Sequence, residues 1–145
     1  MTTIVGDWRR KIIVSDSQFS DDDTGIKYFE DKVVPIEGGW LGVAGNWCDC
    51  EKVVEYLNKK GKRKPKLKND SSFLKLTQEG LFYCGDDLEW ERAKTFMVIG
   101  SGAMAAEVCL RMDLSAEEAV KWACNVDLKS SEPLKIYSLD NKNAL

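Results

Sequence analysis

Two strand-like runs stand back to back at the start of the chain, "TTIVGDW" (2–8) and "KIIVSDSQ" (11–18), and they constrain the fold more than any other stretch. Both are rich in β-branched residues, whose stiff side chains suit a pleated surface. Ile12, Ile13 and Val14 form an unbroken apolar run of the buried type. A chain end normally frays. Here the pattern predicts an end held inside a sheet, with a tight turn near Arg9 and Arg10 joining the two strands.

The rest of the chain alternates strand and helix signals. "FSDDDTGI" (19–26) reads as a loop, because three consecutive aspartates repel one another and favour water. "KVVPI" (32–36) is a third strand, with Pro35 marking its end or an edge position. "GGWLGVAGN" (38–46) holds a short strand between glycines. "WCDCEKVVEYLNKK" (47–60) is helical: Val53, Val54 and Leu57 lie close to one face, and Gly61 ends it. "SSFLKLTQEGLFYCG" (71–85) is a hairpin turning at Gly80, and "TFMVIGSG" (95–102) a strand entering a turn. "AMAAEVCLRM" (103–112) and "SAEEAVKWACNV" (115–126) are helices. In the second, Ser115 and Glu118 have the spacing of a capping box. "LKIYSL" (134–139) is a closing strand. The chain reads as one domain, 1–145, with a loose tail over 138–145.

Composition narrows the chemistry. The chain of 145 residues is 43% hydrophobic and 31% charged, with net charge −3. That is a globular balance, and it does not favour wholesale binding to nucleic acid. No apolar run approaches the length of a membrane span, and no secretory signal is evident, so a cytoplasmic setting is expected. The five cysteines read as reduced thiols; Cys48 and Cys50 form a weak Cys-x-Cys metal signal and are better read as small buried residues at a helix start. Histidine is absent. This excludes Ser-His-Asp and Cys-His catalysis and any His-ligated metal, so a hydrolase built on this chain must find its base elsewhere.

Six short stretches then combine: "TTIV" (2–5), "SDSQ" (15–18), "DKVVPI" (31–36), "GVAGNWCDC" (42–50), "IGSG" (99–102) and "DLKS" (127–130). Each is common alone. Singly, Asp16 is a turn residue, Lys32 a surface strand lysine, Gly45 a helix-entry glycine, Ser101 an N-cap, and Asp127 and Ser130 ordinary loop residues. In this order and spacing the set resembles the proteasome-type N-terminal nucleophile hydrolases, meaning the proteasome β-subunit and its bacterial relative HslV.

The resemblance implies an α+β fold, a four-layer αββα sandwich of two antiparallel sheets between helices. It also implies threonine endopeptidase activity with no cofactor and no metal. With Met1 removed, Thr2 would carry both the nucleophilic hydroxyl and a free α-amine, whose ordinary pKa of about 7.7–8.0 suits a base. Lys32 would keep that amine neutral and stabilise the attacking oxygen, and Asp16 would hold Lys32 charged. The Gly45 N–H would face the oxyanion. Ser101, Asp127 and Ser130 would orient the amine and relay protons. The Ser20 backbone would bind an extended peptide as an added strand, while Phe19, Val43 and Trp47 would line a pocket for a small-to-medium apolar side chain.

The implied partners are a peptide or unfolded protein substrate, further copies of the chain in a homo-oligomer, and an unfolding ATPase for folded substrates. In the middle, where relatives carry a second helix, "KKGKRKPKLK" (59–68) leads straight to the hairpin; seven of its ten residues are basic. That leaves ring, spiral and smaller assembly open. Two other readings stay open: a catalytically silent assembly subunit of the same fold, and a nucleic-acid binder acting through 59–68. The second is weakened by the lack of aromatic residues there.

Overall fold

The computed structural model describes residues 2–20, 24, 27–58, 63–67 and 70–140. Along the chain the strands and helices are β1 (Thr3–Asp7), β2 (Ile12–Ser15), β3 (Gln18–Ser20), β4 (Lys27–Phe29), β5 (Val33–Ile36), β6 (Gly39–Ala44), α1 (Trp47–Asn58), β7 (Ser72–Thr77), β8 (Gly80–Cys84), β9 (Glu91–Ala93), β10 (Phe96–Gly100), α2 (Ala103–Arg111), α3 (Ala116–Val126) and β11 (Lys135–Ser138). All pairings are antiparallel. One sheet has the order β10-β1-β2-β11, a second β5-β6-β7-β8-β9, and β3 and β4 form a separate ribbon.

Side-chain alternation along β1 and β2 sets the layers. Ile4 and Ile13 point into a core between the two sheets, where they meet Trp40, Leu74, Leu76, Leu81 and Ile99. Val5, Ile12 and Val14 point the other way, onto Ala106 and Leu110 of α2 and Ala119, Val120 and Ala123 of α3. The apolar run read in the sequence is therefore a strand covered on both faces. On the far side, Leu41, Val43 and Phe73 pack under Cys50 and Val53 of α1. The order of layers is α2/α3, four-stranded sheet, five-stranded sheet, α1: the αββα sandwich that was expected.

Local expectations fare differently. The N-terminal hairpin is present, with Ile4 opposite Ser15 and Asp7 opposite Ile12. Pro35 sits on β5, an edge strand, where its missing N–H costs no ladder bond. Ser115 caps α3 by accepting a hydrogen bond from the Glu118 N–H at 3.1 Å. The β7–β8 hairpin turns on Gln78 and Glu79, and Gly80 begins the return strand. Cys50 is buried, but Cys48 is exposed.

Two expectations are corrected. Phe19 and Ser20, read as loop, belong to β3, paired with Tyr28 and Lys27 of β4. The tail expected over 138–145 does not include Ser138 and Leu139. Ser138 ends β11, and Leu139 is buried in the inter-sheet core, its N–H bonded to the Lys11 carbonyl at 3.2 Å. Residues 141–145 and the end expected for α1 at Gly61 lie outside the described residues, as do Asp21 to Asp23 and part of the basic stretch. Its described portion, 63–67, has no regular secondary structure; Leu67 packs against the α1-side core, and Lys64 pairs with Glu89 at 2.5 Å. Among the described residues, no helix is long and apolar enough to cross a membrane.

Leu74 is fully buried at the centre of the inter-sheet core. Truncating it removes apolar contact and leaves a cavity that two paired sheets cannot collapse around. Leu74→Ala is expected to cost about 2–5 kcal/mol, read as a lower urea midpoint at unchanged slope.

Candidate active site

Asp16 follows directly on β2 and turns inward; it is completely buried. Its Oδ1 accepts from the Thr3 N–H at 2.9 Å and from the Lys32 ammonium at 2.9 Å. Its Oδ2 accepts from the Gln18 and Ser131 N–H groups, both at 3.1 Å, and again from Lys32 at 3.1 Å. Lys32 precedes β5 and is 3% exposed, so a residue that singly reads as a surface lysine is interior. Burial pulls its pKa below the ordinary lysine value, while the charge and hydrogen bonds of Asp16 work in the opposite direction.

A second group lies across the Thr2–Thr3 backbone. The Thr2 N–H donates to Ser101 Oγ at 3.3 Å, and Ser101 Oγ donates to Asp127 Oδ2 at 2.6 Å. Ser130 Oγ also donates to Asp127 Oδ2 at 2.6 Å, and it lies 2.8 Å from Thr3 Oγ1. Since Ser130 gives its proton to Asp127, Thr3 is the donor in that last contact. Two relays of hydroxyls thus end on one carboxylate. Desolvation alone would raise the Asp127 pKa, but bonds from Ser101, Ser130 and the Lys129 N–H bring it below the usual value.

The turn carrying Ser101 reaches this position because its neighbours are glycines. A Cβ on Gly100, whose φ is +103°, would stand 1.9 Å from the Thr2 carbonyl oxygen. One on Gly102 would stand 2.0 Å from Thr3 Oγ1. Both distances are far inside contact, so the Gly-Ser-Gly sequence is a steric requirement of the close approach.

Gly45 lies at the exit of β6 with φ +136°, and no acceptor among the described residues takes its N–H. Trp47, 37% exposed, opens α1 and lines an open hollow with Glu30, Asp31, Val34 and Lys135. Val43 does not join it there: it is 4% exposed, in the core under α1. Phe19 and Ser20 are placed on β3, whose first residue, Gln18, bonds to Asp16. The structure therefore gathers Thr2, Asp16, Lys32, Ser101, Asp127 and Ser130 into two hydrogen-bonded groups on either side of one backbone.

Several participants escaped the sequence reading. Thr3, fully buried, contributes its N–H to one group and its hydroxyl to the other; the doubled threonine was its signal. Gln18 and Ser131 contribute backbone N–H groups and also bond to each other through their side chains. No motif in the sequence marks these two backbone donors. Cys124 of α3 is close enough to feel Asp16 and Lys32, but burial pushes its thiol up to about 12.

No family model matches the sequence, and no curated protein matches it. Solved structures do. The chain is similar to a eukaryotic HslV from Trypanosoma brucei, with 18% identity, a TM-score of 0.70 and coverage of 92% of this chain and 97% of that one. It is also similar to Thiobacillus denitrificans BPH, with 14% identity, a TM-score of 0.69 and coverage of 93% and 95%. The same protein in complex with epoxomicin gives 13% identity and a TM-score of 0.69, covering 92% and 96%. The chain has a proteasome/HslV-like fold.

Asp16→Ala would withdraw the carboxylate from the Lys32 ammonium and leave three backbone N–H groups without their acceptor. The expected cost is about 3–5 kcal/mol, measured by chemical denaturation.

Proposed function

We propose that the chain is a threonine-type endopeptidase that cleaves peptides or unfolded protein with Thr2, in the cytoplasm and as a self-assembled homo-oligomer. The observation that carries this reading is the chain of hydrogen bonds from the Thr2 nitrogen through Ser101 to Asp127, standing beside the buried Lys32–Asp16 pair. Removal of Met1 would turn the Thr2 nitrogen into a free amine already seated on Ser101. In a chain without histidine that amine is a base of suitable pKa.

In the proposed cycle the amine takes the Thr2 hydroxyl proton as the oxygen attacks a peptide carbonyl. The Gly45 N–H stabilises the oxyanion, and the protonated amine gives its proton to the leaving amine nitrogen. An ester on Thr2 remains. Water, deprotonated by the same amine, hydrolyses it and restores the hydroxyl. Lys32 disfavours protonation of the amine and stabilises negative charge on the attacking oxygen. Asp127 serves through Ser101 as the acceptor that orients the amine; Ser130 holds Asp127 and Thr3. Peptide would lie along the β3 backbone near Phe19 and Ser20, with the exposed Trp47 shaping the preference. A self-enclosing oligomer would need an unfolding ATPase to take folded substrates.

Three measurements test this reading together: the mass of the N-terminus, turnover of fluorogenic peptides, and labelling by epoxomicin. A chain starting at Thr2, with turnover and a label on Thr2 that Thr2→Ala abolishes, is the expected result. A retained Met1 without turnover would instead favour the silent assembly subunit. The pH profile is a separate expectation. Activity should rise as the Thr2 amine loses its proton, around or below the ordinary range of about 7.7–8.0. It should fall as Lys32 loses its own, earlier than an ordinary lysine of pKa 10.5 because burial lowers it. Lys32→Arg should move the alkaline limb upward in pH in whatever activity remains, because guanidinium stays charged there.

A further inference from the structure

A buried polar pair underlies the Gly45 turn without touching either hydrogen-bonded group of the site. Ser71 is 2% exposed and Asp49 completely buried. Ser71 Oγ donates to Asp49 Oδ2 at 2.8 Å and accepts from the Asn46 N–H at 3.2 Å. Its backbone and hydroxyl press against Gly45: a Cβ there would lie 2.6 Å from Ser71 Oγ and 2.8 Å from Ser71 Cα. Asp49 Oδ1 is buried with no hydrogen-bond partner among the described residues, so the carboxylate is kept at some cost to stability.

We propose that Ser71 and Asp49 are positioning residues that aim the Gly45 N–H at the developing oxyanion; this rests on the threonine-peptidase reading. The geometry gives the reason. The Ala44 end of the turn is held in the sheet, opposite Ser72. The Asn46 end is held by the Ser71 hydroxyl, and Asp49 fixes that hydroxyl by accepting its proton. With both flanking peptide planes anchored, the dihedral angles of Gly45 have little room to vary. Its free N–H keeps one direction. An apolar filling would pack this space without a lone unpaired carboxylate oxygen, but it would supply no acceptor for the Asn46 N–H and no anchor for the turn. An N–H already aimed needs no rearrangement when charge develops on the carbonyl oxygen, which is where such a donor helps most.

The test uses full-length protein and compares wild type, Ser71→Ala and Asp49→Asn. Peptide turnover gives kcat and KM, and a peptide aldehyde serves as a mimic of the tetrahedral adduct. The expected result is a loss of about 10- to 100-fold in kcat for Ser71→Ala, below the roughly 100- to 1000-fold that follows from deleting an oxyanion donor outright. KM should hold within about twofold, and aldehyde affinity should fall in step with kcat. Asp49→Asn keeps an acceptor for Ser71 and should retain most of the wild-type kcat, with the pH profile of wild type. A general loss of folding would lower the fraction of active enzyme, seen by active-site titration, without separating aldehyde affinity from substrate KM. Unchanged kcat and aldehyde affinity in folded Ser71→Ala, with wild type active, would overturn the positioning role alone. A processed wild type with neither turnover nor Thr2 labelling would overturn the peptidase reading, and this proposal with it.

Discussion

Everything near the chain start hangs on one carboxylate with no access to water. Asp16 gathers the N–H groups of Thr3, Gln18 and Ser131 together with the Lys32 ammonium. These four groups come from the start of β1, the start of β3, the segment after α3 and the approach to β5. Removing two such charges from water costs several kcal/mol each before their attraction offsets it, and well-packed apolar side chains often serve stability as well. What apolar side chains could not do is fix three backbone donors and a cation around one point. The pair is therefore better understood as a device for geometry than for stability.

That device works because the layers around it are already rigid. β1 is central in its sheet, with Ile4 committed to the inter-sheet core and Val5 to the α2/α3 core. Thr2 shares the parity of Ile4, so strand alternation turns it toward the gap between the sheets, while Thr3 shares the parity of Val5 and turns toward α3. A terminal residue would otherwise fray. Here the β1 ladder and the Gly100–Gly102 turn, whose glycines permit contact with the Thr2 carbonyl and Thr3 hydroxyl, hold it from two sides.

The legible parts of the sequence were those where one local signal had one physical outcome. Ile12 to Val14 could be satisfied only by cover on both faces; Pro35 restricted its strand to an end or an edge, and the edge is what formed; Ser115 announced a helix start. The illegible parts had weak local signals and were set by distant contacts. β9 is three residues, Glu-Arg-Ala, whose charged side chains suit an exposed edge and resemble a loop in sequence. Phe19 and Ser20 stood next to an aspartate run that reads as solvated loop, yet pairing with β4 draws them into a strand. At the site, residues with chemical side chains could be nominated from motif order. Gln18, Asn46 and Ser131 act through backbone N–H groups, and Ser71 lies far from Gly45 in sequence, so only folding reveals them.

The doubled threonine at the chain start now has a physical account for its second member. Thr3 gives its N–H to Asp16 and its hydroxyl proton to Ser130, which passes its own to Asp127. It is thus bonded into both groups. Valine would keep the shape and the strand propensity but would leave Ser130 Oγ without its donor in a buried setting; serine would keep the hydroxyl but lose the branched methyl that restricts χ1. Threonine alone meets both conditions beneath Gly102, where there is no room for a Cβ to relieve a misplaced oxygen. A cation–carboxylate pair and a hydroxyl–carboxylate relay are held in register by one side chain and its own amide. The position of Thr2 relative to both groups follows from the residue after it.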